Sequence, residues 1–272
     1  MISAQLPQLN VGEWYDLVYF LQQNQNGEST NSGPSFTPDY ILASTPQLNW
    51  AGQTFVDAEL EVWPSNQQWF GRVFANDLAL DVAIPEDFLQ QPIVVNADFI
   101  QLSSSLGVNS TNNLREKEAQ WQWVKRLPAI DVNCKTCKLD DKSFVDLNAE
   151  VRPISGGIEL SKFSTQSNNS RLQASGYWLV ADGNPVTQIS GNLQSEDFGD
   201  LLREYGLETA IRDSSATLEF GLNWQGHPHQ IDFTSLGGSM QWELGQGYLA
   251  EVSDGGARLF SLLSLDGILR KL

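Results

Sequence analysis

Cys134 and Cys137, three residues apart in C-K-T-C, are the first residues here whose type and spacing could do chemistry. The pattern admits a redox dithiol, half of a zinc site or a short disulfide. Structural zinc takes four ligands, and the chain has no second C-x-x-C. A redox dithiol sits at a helix N-terminus, whereas this pair falls where strand and turn are expected. In an extended strand residues i and i+3 point to opposite faces, so bridging them needs a turn or bulge. The cysteines read as structural, either reduced or in a local disulfide. His227 and His229, the two histidines, lie in G-H-P-H. Alternate spacing could supply two metal ligands, but the Gly/Pro context without neighbouring carboxylates reads as a surface turn. Carboxylates are abundant and a glycosidase-type pair is conceivable. Most of them, however, alternate with apolar residues as on a solvated strand face. No nucleophile-elbow, P-loop, dinucleotide or H-E-x-x-H motif occurs. The sequence predicts no catalytic residue, no metal and no cofactor.

The elements that would position these groups are mostly strands. Val56, Ala58, Leu60 and Val62 alternate with Asp57, Glu59 and Glu61, and Leu78, Leu80, Val82 and Ile84 alternate with Asp77 and Asp81. Residues 48–64 recur as 137–153 at a constant offset: Phe55, Val56, Asp57, Glu61, Val62 and Pro64 return as Phe144, Val145, Asp146, Glu150, Val151 and Pro153. This is an internal repeat of a β module. A third, diverged copy is expected from Ser214, where Leu218, Phe220, Leu222 and Trp224 alternate with polar residues. Near the end, Met240, Trp242 and Leu244 share one face and Ser239, Gln241 and Glu243 the other. Helices are expected at 12–23, 196–205 and 257–272, the last with Leu262, Leu265, Leu269 and Leu272 on one stripe. Polar loops are expected at 24–37 and about 103–120. The layout is then a helix and loop over 1–37, one β module over 38–127, its repeat over 128–206, and hairpins plus a helix over 207–272, in one elongated domain. The abrupt stop after the last helix suggests a piece of a longer protein.

Long strands with one apolar face and tight turns indicate antiparallel sheet, and three short helices cannot cover that face. It must pack on another sheet, as in a β-sandwich, or stay open as a groove. A net charge of −17 argues against nucleic acid and against docking on anionic headgroups. No apolar run spans a bilayer and residues 1–20 lack a signal peptide, which alone would suggest a cytosolic protein. The aromatics, among them Trp50, Trp63, Trp69, Phe70, Phe74, Trp121, Trp123 and Trp178, fit ordinary sheet packing or an apolar groove.

Three stretches carry a family resemblance: ISAQLPQLNVGEWYDLV at the start, LREYGLETAIRDSSATLEFGLNWQGHPHQIDFTSLGG from Leu201, and the hairpin running through V-S-D-G-G-A-R-L into LLSLDGILRKL. Together they resemble the C-terminal region of the YhdP proteins, which are very large AsmA-like proteins of the Gram-negative envelope. The resemblance implies a mainly β fold, a long curved antiparallel sheet shaped like a trough. It implies a segment of a periplasmic lipid-transfer protein whose apolar interior holds phospholipid acyl chains between inner and outer membranes. Contacts with components of both membranes, and the export signal and anchor, would then belong to sequence outside this chain. The residues expected to line the groove are Val56, Leu60, Val62, Leu78, Leu80, Val145, Leu147, Val151, Leu218, Phe220, Leu222, Trp224, Met240, Trp242 and Leu244. The other readings are a non-catalytic structural β domain and a carbohydrate-active enzyme.

Overall fold

A computed structural model describes residues 1–16, 20, 39–50, 53–103, 127–167, 169–181, 184–204, 209–228 and 231–249. The first half contributes β1 (Ile2–Gln5), β2 (Leu9–Asn10), β3 (Ile41–Trp50), β4 (Gln53–Ser65), β5 (Gln68–Ala75), β6 (Leu78–Pro85) and β7 (Ile93–Leu102). The second contributes β8 (Ile130–Leu139), β9 (Lys142–Ile154), β10 (Gly157–Ser167), β11 (Ser170–Ala181) and β12 (Asn184–Ser195). β13 (Ile211–Arg212), β14 (Ala216–Gln225), β15 (Gly237–Leu244) and β16 (Tyr248–Leu249) complete the strands.

Fourteen strands form one long, open, curved sheet in nearly sequential order from β1 to β15, with β2 beside β3; β13 and β16 pair separately. Two-residue turns set much of the register. Asn66 and Gln67, both at positive φ, close β4 onto β5, and Ser155-Gly156 closes β9 onto β10. The sheet is mixed, because β1 and β2 pair parallel to β3, and β7 pairs parallel to β8. Each parallel pairing follows a long connection, as parallel strands require.

The repeat is visible in the strands. β3 and β8 start at 41 and 130 and end at 50 and 139; β4 and β9 start at 53 and 142 and end at 65 and 154. β14, where a third copy was expected to begin, pairs antiparallel to β12 and lacks the parallel entry of β3 and β8.

Each copy also carries the same kink. Thr45 and Leu48 are both buried on β3, and their partners Ala58 and Phe55 are both buried on β4. Inward residues are therefore three apart rather than two, and Asp57 takes a left-handed φ of 54° between them. In the second copy Cys134 pairs with Leu147, Cys137 pairs with Phe144, and Asp146 has φ 48°.

Residues 11–16 and 20 are helical. The rest of the helix expected over 12–23, nearly all of the polar loop expected at about 103–120 and the helix expected over 257–272 lie outside the described residues. The expected helix at 196–205 is observed as Phe198–Glu204. Asp197 caps it, its Oδ1 accepting from the Asp200 backbone N–H at 2.9 Å.

Candidate functional site

One face of the sheet carries cross-strand rows of apolar side chains. A first row runs Ala43, Leu60, Val73, Leu80, Ala97, Cys134, Leu147 across β3 to β9. A second row, one pleat along, crosses twelve strands. It begins Ile41, Val62, Gly71, Val82, Val95, Val132. It continues Ala149, Phe163, Ala174, Gly191, Phe220, Met240. A third row holds Ile93, Ile130, Val151, Leu160, Gly176, Ile189 and Leu222. At the usual inter-strand spacing of about 4.8 Å, the second row is roughly 50 Å long.

The rows differ in cover. Beside the first row, Leu48, Phe55, Ala75, Leu78 and Ile100 form a buried cluster with Leu9, against which Leu6 and Val11 pack. At the far end Phe198 and Leu201 of the short helix join Ile211 and Ala216, and Leu193 and Trp242 pack on them. On the other flank Trp178 and Trp224 are buried, and Trp224 Nε1 donates to the His227 carbonyl at 2.9 Å. Between these flanks nearly every residue of the second and third rows is half-buried. A strip of aliphatic and aromatic side chains thus runs across the strands, bordered by packed clusters and only partly withdrawn from water.

The opposite face carries a continuous polar ladder, with exposed apolar side chains such as Phe74 and Val56 beside it. Glu61, Arg72, Asp81, Asn96, Asn133 and Asn148 form one cross-strand ladder, continued by Ser164, Gln173, Asn192, Glu219 and Gln241. Two cations on this face are paired. Arg72 Nε donates to Asp81 Oδ1 at 2.8 Å, and Lys135 Nζ donates to Asp98 Oδ1 at 2.6 Å. These hydrogen bonds raise the pKa of both cations. A crease of about 640 Å³ lies along this ladder, lined by polar residues including Arg72, Asp81, Asn133 and Lys135 and by apolar ones including Phe74 and Ala79. The crease's Arg72–Asp81 and Lys135–Asp98 pairs are engaged with one another. Tyr40, Trp63 and Phe70 stack on the polar face, with ring centroids 6.2 and 6.1 Å apart.

The residues singled out from sequence fall as follows. Leu60, Leu80, Leu147 and Leu218 sit at first-row level, Val62, Phe220 and Met240 in the second row, and Val151 and Leu222 in the third. Leu78 belongs to the buried cluster, Trp224 is buried on the flank, and Trp242 packs on the short helix. Leu244 ends its strand 42% exposed. Val56 and Val145 do not share a face with Leu60 and Val151. The left-handed Asp57 and Asp146 shift the alternation, leaving the two valines 43% and 39% exposed on the polar side. Val95, Val132, Ile130, Phe163 and Ile189 also line the strip and are not among the residues expected there. The alternation Ile93, Val95, Ala97 was the available signal for β7.

Cys134 and Cys137 are joined as a disulfide, with their Cα atoms 6.0 Å apart. Three residues of regular strand would separate them by roughly 10 Å; the kink closes that distance. His227 lies in a turn with its ring 5.5 Å from Trp178, and His229 lies outside the described residues. Among the described residues no group of three or more His, Cys, Asp or Glu side chains could hold a metal, and no helix is long and apolar enough to cross a membrane.

A family model described as "YhdP protein" matches residues 1–272. The "Intermembrane phospholipid transporter YhdP" of Escherichia coli (strain K12) is 24% identical over 277 residues, an alignment covering 100% of this chain and 21% of the relative. The chain therefore spans about a fifth of the length of that relative. No solved structure matches the chain.

Proposed function

The chain belongs to the YhdP family, and from that premise we propose that it forms one length of a periplasmic trough along which phospholipid moves between membranes. Acyl chains lie against the second and third apolar rows, while headgroups stay wet at the rim. Transfer is passive. Each methylene withdrawn from water gains about 0.8 kcal/mol, and because similar side chains repeat from strand to strand, a chain sliding along the strip exchanges one such contact for another. Direction must come from elsewhere in the whole protein. The observation that carries this reading is the half-buried apolar strip, continuous across twelve strands and bordered by closed clusters. A single leaflet's hydrocarbon is about 15 Å deep, so a strip of this length exceeds one lipid.

Native mass spectrometry with lipid extraction, on protein purified without detergent, tests the reading. Co-purified phospholipid is expected, and Phe220→Glu with Leu222→Glu is expected to displace most of it. A clean apo mass, with no uptake of a fluorescent acyl probe, would overturn the proposal and leave a structural β domain.

A further inference from the structure

The two copies of the kink are held by different chemistry. In the first, Thr45 Oγ1 donates to the Gln47 carbonyl at 3.0 Å and accepts from the Gln47 N–H at 3.2 Å. Thr45 and Leu48 are the repeat equivalents of Cys134 and Cys137, and Asp57 is that of Asp146. The first copy therefore reaches the same backbone shape without a covalent bond. In the second, a disulfide spans the kink. Its two residues differ in exposure: Cys134 is 2% exposed, whereas Cys137 is half-buried at the edge of the cluster. Cys134 also stands in the first apolar row, between Ala97 and Leu147 and one pleat from Val132. What holds Cys134 in place thus also holds the border of the strip.

We propose that the Cys134–Cys137 bond is a removable staple, opened by thiol–disulfide exchange at Cys137 Sγ, and that opening it loosens β8 and β9 while the first copy stays firm. The reductant is a protein or small-molecule dithiol. Its thiolate attacks Cys137 Sγ, and Cys134 leaves as a thiolate and takes a proton from water. The second thiolate of the reductant then attacks the mixed disulfide and releases Cys137, which is protonated in turn. The protein gains two electrons and two protons, and the reductant ends as a disulfide. Without the bond, Cys134 and Cys137 lose the tie across the kink and gain no hydrogen bond like that of Thr45, so the apolar border beside Val132 becomes easier to open. The consequence for lipid rests on the trough reading; the consequence for backbone opening does not.

The test is amide hydrogen exchange on the full chain with and without dithiothreitol. Reduction is expected to speed exchange in 130–139 and 142–151 by about tenfold and to leave 41–50 and 53–62 unchanged. The double substitution Cys134→Thr with Cys137→Leu installs the first copy's residues, and its exchange is expected to ignore reductant. No change in the second copy on reduction, or an equal change in both copies, would overturn the staple. Phospholipid bound before and after reduction provides the second readout, and it is expected to fall in the native chain and hold in the double variant. If the oxidised chain binds no lipid, the trough reading fails and exchange alone decides the staple.

Discussion

Asp57 and Asp146 settle which valines face the apolar strip. Their left-handed backbone, at φ 54° and 48°, turns a two-residue alternation into a three-residue step. A short polar side chain tolerates that region better than a β-branched one, which meets its own backbone there. Asp57→Gly is accordingly expected to keep the urea midpoint of the native chain, and Asp57→Val to lose about 1–3 kcal/mol of stability. Equal midpoints for the two variants would show that the conformation exacts nothing from its side chain. The period-2 pattern of Val56, Ala58 and Leu60 places all three on one face, and a φ value leaves no mark on that pattern. What the sequence does display is Phe-Val-Asp in both copies. An aspartate recurring inside a strand is a turn-tolerant residue at a place where alternation can break. Much the same limit applied to Cys134 and Cys137: their spacing showed that a bridge required a kink, but not that the kink was there.

At the scale of the element, strand existence and facing were legible because side chains record them. The alternation over 78–84 and 218–224 appears in β6 and β14 as read. Strand partnership was less legible, because it resides in backbone hydrogen bonds that any sequence can make. The parallel joining of β7 to β8, across a long connection, is the main feature that alternation could not announce. Glycines record a further element-level constraint, the closeness of neighbouring strands. A Cβ on Gly191 of β12 would lie 2.3 Å from the Gln173 carbonyl oxygen and 2.7 Å from Phe220 Cζ, whereas one on Gly221 of β14 would meet nothing within 4 Å. Gly191→Ala is therefore expected to cost about 1–3 kcal/mol through strand displacement. Gly221→Ala is expected to be neutral or stabilising by about 0.5–1 kcal/mol, since alanine loses less backbone freedom on folding. Urea midpoints of the two single variants decide this, and the reverse order would refute the packing argument.

For the molecule as a whole, the two faces of a single sheet divide the labour. The continuous polar ladder lies on one side and the continuous aliphatic rows on the other. The net charge of −17 disfavours anionic surfaces, so apolar contact is the attraction left for a lipid. If the strip works as one continuous channel, its middle should matter as much as its ends. Val132 stands there, on β8, where the repeat copies adjoin through the parallel pair. Its neighbour Asn133 points to the polar ladder and donates to Asn96 Oδ1 at 3.0 Å. Val132→Glu places a carboxylate in the path proposed for the acyl chains, and burying an unpaired charge beside hydrocarbon costs several kcal/mol. Asn133→Glu adds the same charge to the same strand on the wet side. Both variants are expected to fold, as judged by circular dichroism, because each position remains partly open to water. A continuous channel predicts that Val132→Glu cuts bound phospholipid and slows acyl-probe passage, with Asn133→Glu matching the native chain. Equal losses would assign the effect to net charge, and no loss in either would mean that lipid, where bound, does not cross the centre of the sheet.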